Sequence, residues 1–323
     1  MQLLGIHHIS ILTGSAEKNF EFFTKVLGMR LVKKSVNQDD TSCYHLFYGD
    51  GKGSPGTEVT FFDIPGLGST HEGTSSITST SLRVKSTESL KYWGQRFEQY
   101  GVKHEGIEQR ANRNTMAFED FEGTKLILVA DDDEEGVAAG EPWEGTEVPA
   151  EHAIVGLGPV LLTVARPERT ERVLTEILGF RHEGSYPSLL GEGYDDVEVY
   201  ATGEGGAGAE VHIQKRTDLP LEKLGRGGVH HVAFRIPDET EHAKWVDRIK
   251  ETGMMNSGKV DRFYFKALYF REPNGILFEL SSDTPGFDVD ESVETLGENL
   301  SLPPFLEPKR EEIEEKLRPL TLD

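Results

Sequence analysis

The chain repeats itself four times. Each stretch runs through a short apolar strand, an amphipathic helix, a glycine, and further strands, the last led by a second glycine. The helix-ending glycines are Gly28, Gly101, Gly179 and Gly253; the strand-leading ones are Gly56, Gly123, Gly208 and Gly275, and the two series advance together. A glycine just past a helix accepts the left-handed conformation that side chains resist, which makes it a stop signal. A repeat of this size restricts the fold to supersecondary units, each too small to bury its sheet alone and so obliged to pair. In unit one, residues 8–12 read as a strand and Ser15 opens a helix. That helix carries Phe20, Phe23, Val26 and Leu27 at helical spacing, and strands follow at 29–32, 44–48 and 59–62. Helical stripes recur at Leu90, Trp93, Phe97 and Tyr100, at Val173, Ile177 and Leu178, and at Ala243, Val246 and Ile249. The expected class is α+β: four βαβββ modules paired into two domains, with curved mixed sheets around a cavity and a C-terminal extension. Chain order suggests modules one and two in 1–135, an acidic linker at 136–151, modules three and four in 152–283, and an extension over 284–323 that packs on the body.

The chemistry must be found in an acidic chain with a single cysteine. A net charge of −22 repels phosphate, so no nucleic-acid partner is expected, and the acidic runs read as solvated surface. Cys43 alone excludes an internal disulfide and a cysteine-rich zinc site, and it fits a reducing compartment. No apolar run approaches the roughly 20 residues of a membrane span, and the start lacks a basic, then apolar, leader. A soluble cytoplasmic protein with no membrane partner is therefore expected, and homo-oligomerisation is left open.

The repeats differ where chemistry is expected. Glu279 sits within the apolar run Ile276-Leu277-Phe278-Glu279-Leu280. A buried ionised carboxylate is unfavourable unless it finds a cation or a metal. Aligned on the strand-leading glycines, the sibling strands carry Thr60, Ile127 and His212 in its place. The first strands of units one and four both hold a His-His pair, in Gly5-Ile6-His7-His8-Ile9-Ser10-Ile11 and Gly228-Val229-His230-His231-Val232-Ala233-Phe234. Units two and three have Thr78-Ser79 and Val160-Leu161 there. Strand alternation puts His8 with Ser10 on one face and His7 with Ile9 and Ile11 on the other. His8, His231 and Glu279 are then expected on the concave side. Two imidazoles and one carboxylate form a facial triad with open coordination positions, as in non-haem Fe(II) oxygenases. His212 is expected to be structural or exposed, and His71, His104, His152, His182 and His242 to be solvated.

On these stretches, with Phe22-Phe23-Thr24-Lys25-Val26-Leu27-Gly28, Tyr44-His45-Leu46-Phe47-Tyr48 and Pro273-Asn274-Gly275 added, the chain resembles the vicinal oxygen chelate superfamily of glyoxalases, bleomycin resistance proteins and extradiol dioxygenases. It is most similar to hydroquinone-type ring-cleaving dioxygenases. The resemblance covers nearly the whole chain. It implies Fe(II) held by His8, His231 and Glu279, with Mn or Zn as other ions such a site can bind, and a small aromatic substrate and O₂ as partners. It further implies roles near the metal for His7, His230, Arg262 and Tyr269, with His230 as an acid/base candidate. The alternatives within the fold are a glyoxalase-like isomerase or lyase, which usually has a fourth protein ligand, and a non-enzymatic ligand-binding resistance protein.

Overall fold

A computed structural model describes residues 1–320 and 322. All four units are present. Unit one comprises β1 (Ile6–Thr13), α1 (Ala16–Glu21), β2 (Arg30–Val36), β3 (Tyr44–Gly49) and β4 (Glu58–Asp63). Unit two comprises β5 (Ser76–Val84), α2 (Thr87–Tyr100), β6 (His104–Arg110), β7 (Arg113–Glu119) and β8 (Lys125–Ala130). Unit three comprises β9 (Ile154–Val164), α3 (Pro167–Arg172), β10 (Arg181–Tyr186), β11 (Val197–Ala201) and β12 (Glu210–Lys215). Unit four comprises β13 (Val229–Ile236), α4 (Glu239–Glu251), β14 (Val260–Asp261), β15 (Phe265–Arg271) and β16 (Leu277–Pro285). Each helix starts where sequence chemistry allows: Ser15, Ser86 and Asp238 cap α1, α2 and α4 through their side chains, and α3 begins on Pro167. Gly28, Gly101, Gly179 and Gly253 all take positive φ, between 66° and 77°, beyond the helical segments.

The units do not pair in chain order. One eight-stranded sheet runs β14-β15-β16-β13-β1-β4-β3-β2, and the other β10-β11-β12-β9-β5-β8-β7-β6. Each sheet therefore joins one unit from 1–135 to one from 152–283, first with fourth and second with third. The assignment of a sheet to each half of the chain is corrected accordingly. Local periodicity defines a unit but carries no information about which distant unit lies beside it. The seams are antiparallel, β1 on β13 and β5 on β9.

The convex faces carry the core. Ile9, Ile11, Val59 and Phe61 lie under Phe22 and Phe23, and Val232, Phe234, Phe278 and Leu280 belong to the same buried cluster as Trp245 and Ile249 of α4. The buried face of α4 is His242, Trp245 and Ile249, while Ala243 is exposed, so the stripe is rotated from the one expected. His242 is fully buried, contrary to the expectation that it is solvated. The Trp245 ring wins the core-facing position and carries its helical neighbour inward with it. The 136–151 segment is strapped down rather than loose: Trp143 lies over Arg30 and Val148 is buried. The extension closes over the edge of the first sheet. There the buried ammonium of Lys33 bonds Asp290 at 2.7 Å and also bonds Glu291. Its last helix, α5 (Arg310–Lys316), packs Ile313 with Val36 and Leu302, as expected. Residues 321 and 323 of the expected extension lie outside the described residues.

Candidate metal centre

His8, His231 and Glu279 meet on the concave face of the first sheet. β1 is buried along its whole length on both faces, so His8 has no route to bulk water from its own strand. The parallel ladder of β13 and β16 sets Glu279 beside Ala233, two residues from His231. His8 Nε2 lies 3.2 Å from Glu279 Oε2, His231 Nε2 lies 2.8 Å from the same oxygen, and the two nitrogens are 3.3 Å apart. Three cis ligands about 2.1 Å from one ion stand about 3.0 Å from each other, so these spacings fit a facial donor set. Glu279 is fully buried and its Oε2 makes no aligned hydrogen bond, while Oε1 accepts from Ser281 Oγ at 2.8 Å. A buried oxygen left without a donor, facing two imidazole nitrogens, is what a cation would satisfy. Burial alone would raise the Glu279 carboxyl, but His8 and His231 outweigh it and hold it well below the usual carboxylate range. Burial lowers His231.

The first histidine of each pair arrives by a bulge. On β1, Ile6 faces Phe234 and His8 faces Ala233, which leaves His7 as the extra residue; on β13, Ser10 faces His231 and Ile11 faces Val229, which leaves His230. A bulge breaks the two-residue alternation and re-aims a side chain. His7 therefore leaves the helix-facing side on which simple alternation places it. Its Nδ1 meets His8 Nδ1 at 2.9 Å, and His230 Nδ1 meets His231 Nδ1 at 2.7 Å. His7 Nε2 faces the Ser282 carbonyl at 3.3 Å, so that nitrogen carries the proton and Nδ1 accepts from His8 Nδ1–H. His8 Nε2 is then left with its lone pair directed toward Glu279 and His231, where a cation would be held. In the second pair the direction follows from His231 instead: its Nε2 stands 2.8 Å from Glu279 Oε2 in the three-donor face, so a lone pair offered there leaves Nδ1–H to donate to His230 Nδ1. Burial lowers His7 well below its ordinary value, and burial followed by the charge on His231 lowers His230 to about 4. Both are neutral acceptors at neutral pH.

Arg262 and Tyr269 line the cavity in front of the three residues, as do His45, Phe47, Phe62 and Phe265. His7 and His230 are not among its lining residues; they stand behind His8 and His231, Nδ1 to Nδ1. Tyr269 pairs with Glu279 across β15 and β16, and its Oη accepts from Arg262 Nε at 3.1 Å. Burial and then the charge of Glu279 raise the Tyr269 phenol well above its ordinary value, so it keeps its proton to donate. Arg262 forms a two-pronged pair with Asp39 at 3.2 and 2.8 Å, and Gln38 Nε2 donates to the Arg262 carbonyl at 2.8 Å. Burial works against the Arg262 charge, but Asp39 and Tyr269 more than offset it.

The sequence reading missed His45, Gln38 and Asp39. His45 alternates with Phe47 along β3, the one signal that could have placed it on the concave face. Its Nε2 meets Thr60 Oγ1 at 2.9 Å, which meets Ser10 Oγ at 2.8 Å. Thr60 stands at the register of Glu279, so the place of a fourth ligand holds a hydroxyl already engaged with two neighbours. His212 is buried and bonded to Tyr186 and Glu210, hence structural rather than exposed. Among the described residues, no helix is long and apolar enough to cross a membrane.

The family model described as the glyoxalase/bleomycin resistance protein/dioxygenase superfamily matches residues 5–128 and 156–280. MhqA of Bacillus subtilis strain 168, provisionally named a ring-cleaving dioxygenase, is 54% identical over 320 residues, 99% of this chain and 100% of the relative. The chlorohydroquinone/hydroquinone 1,2-dioxygenase of Sphingobium indicum is 31% identical over 314 residues, covering 96% and 94% of the two chains. A crystal structure of a provisionally assigned dioxygenase from Bacillus subtilis superposes with a TM-score of 0.89 at 34% identity, over 100% of this chain and 99% of the other. Glyoxalase I from Zea mays, at 17% identity and a TM-score of 0.62 over 87% and 92% of the two chains, shares the fold. The chain belongs to the glyoxalase/bleomycin resistance protein/dioxygenase superfamily.

Proposed function

We propose that this protein is a ring-cleaving dioxygenase that opens a hydroquinone-type aromatic with both atoms of O₂, using Fe(II) held by His8, His231 and Glu279. The observation that carries the reading is a buried three-donor face opening onto an aromatic-walled cavity, with no protein donor at the fourth register. A bound Fe(II) would supply one-electron chemistry and two or three adjacent open positions for a phenolic oxygen and O₂. The chain's own residues do the rest. Phe47, Phe62 and Phe265 offer apolar faces to a ring and keep water from it. Tyr269 donates a hydrogen bond to an oxygen arriving beside Glu279, and Arg262, clamped by Asp39, fixes the direction of that donor. The Ser10–Thr60–His45 chain offers a hydroxyl at one end and an imidazole nitrogen at the other, which suits a substrate with a second hydroxyl. His7 and His230 fix the ligand tautomers. A glyoxalase-like reaction is disfavoured by Thr60, whose hydroxyl is held by Ser10 and His45.

The test is metal analysis of protein purified without oxygen, followed by O₂ uptake with hydroquinone. One iron per chain and one O₂ consumed per ring opened are expected, and Glu279→Ala should lose both. Bound iron with no uptake for any hydroquinone overturns the activity; metal and turnover retained by Glu279→Ala overturn the site.

A further inference from the structure

The second sheet has a concave face of its own, and the strand ladders show what stands there in place of the ligands. Ser79 takes the register of His8, Pro159 that of His231, Ile127 that of Thr60 and His212 that of Glu279. The expectation that Val160-Leu161 lies opposite His230-His231 is off by two residues, because Leu161 pairs with His212 as Ala233 pairs with Glu279. One imidazole with no second donor does not hold a metal. Ser79 and Ile127 line a cavity of about 370 Å³, a size that suits a small organic ligand, and Pro159 and His212 line a recess of about 30 Å³ that shares Ser79, Ile127, Leu161, Arg110 and Tyr186 with it.

Three features mark it as built for occupancy. The polar end is a fixed relay. Arg113 clamps Glu210 with two bonds of 2.7 Å, Glu210 Oε2 meets His212 Nε2 at 3.0 Å, and His212 Nδ1 meets Tyr186 Oη at 3.0 Å. The carboxylate fixes Nε2 as the donor, so Nδ1 accepts the Tyr186 proton and the tyrosine oxygen is left as an acceptor on the cavity wall. Next to it on that wall is Arg110, which bonds Thr115 and, at 3.4 Å, the exposed Glu108. Among the described residues its remaining N–H groups have no partner. Finally, apolar side chains stay open to the cavity. Ile127 and Leu161 are partly exposed in mid-strand, and Leu189 and Leu190, on the loop after β10, are 49% and 47% exposed.

We propose that this face is a second, metal-free binding site for a neutral phenol. The ring lies on Ile127 and Leu161 under Leu189 and Leu190, and the hydroxyl accepts from Arg110 while donating to Tyr186. A carboxylate would face the Tyr186 lone pairs, and an arene without a hydroxyl would leave Arg110 unpartnered. The site stands whether or not the first sheet cleaves rings.

The test is fluorine NMR of 4-fluorophenol with chelator-treated full-length protein. Saturable binding below about 1 mM is expected, with 4-fluorobenzoate and fluorobenzene each about tenfold weaker. Arg110→Ala and Ile127→Trp should each weaken 4-fluorophenol by about tenfold, with the melting temperature unchanged and the metal content of the untreated protein unchanged. Ile127→Trp fills the cavity from a partly exposed position outside the buried core cluster. No saturable binding, equal affinity in wild type and both variants, or equal affinity for the benzoate overturns the proposal.

Discussion

Replacing His230 by phenylalanine separates two roles that the structure sets apart. His230 stands behind His231 and accepts from its Nδ1 at 2.7 Å; it does not line the cavity. His231 is 4% exposed, so water cannot take over that acceptor. A buried N–H left without a partner costs about 1–3 kcal/mol, and the loss falls on the tautomer that presents Nε2 to the metal. The metal dissociation constant should therefore rise about 10- to 100-fold. Competition with a chromophoric chelator under anaerobic conditions reads this directly, and kcat at saturating metal is measured alongside it. His230→Phe should raise the dissociation constant and leave kcat near wild type, and His230→Gln, whose amide oxygen can accept, should recover part of the affinity. Unchanged metal affinity with a collapsed kcat would refute the reasoning and return His230 to the acid/base role that the resemblance implies.

Four further outcomes are expected. Thr60→Glu, placing a carboxylate at the fourth register, should tighten metal binding and lower O₂ uptake at least about tenfold, read by chelator competition and an oxygen electrode. Asp39→Asn should loosen Arg262 and raise KM for hydroquinone more than it lowers kcat, whereas Arg262→Lys, which loses the planar fork, should lower both. Lys33→Met leaves Asp290 and Glu291 facing each other without their ammonium, so urea unfolding should show a loss of about 3–5 kcal/mol. Burial raises Glu210, but His212 and Arg113 bring it down to about 2, from an ordinary 4.5. Its stabilisation is thus complete above about pH 4.5 and lost as pH falls toward 2, so the urea midpoints of wild type and Glu210→Gln should converge over that window.

The three candidate ligand residues were legible because the repeats act as each other's controls. A carboxylate in one last strand of four, and a His-His pair in two first strands of four, stand out without any knowledge of pairing. What lay hidden was non-local or broke the period. Strict alternation misplaces His7, because a bulge is a long-range register event between β1 and β13 rather than a local preference. The pairing of unit one with unit four cannot be read from either unit's pattern. Gln38 and Asp39 lie on a connection with no counterpart to contrast them against, and they matter only because Arg262 lies across from them. His242 looks like a surface residue on an acidic helix until the bulk of Trp245 is weighed against the smaller Ala243.

The crossing of the sheets sets an order on manufacture. As the chain leaves the ribosome, the strands of the inner sheet, β5 to β12, are complete by Lys215, while β1 still lacks its antiparallel neighbour β13. His8 must wait until Glu279 has been synthesised before its site exists. Such a long-range closure is slow relative to local folding. A fragment ending between Lys215 and Leu277 would carry every strand of its inner sheet yet lack Glu279, the one carboxylate of the candidate metal site.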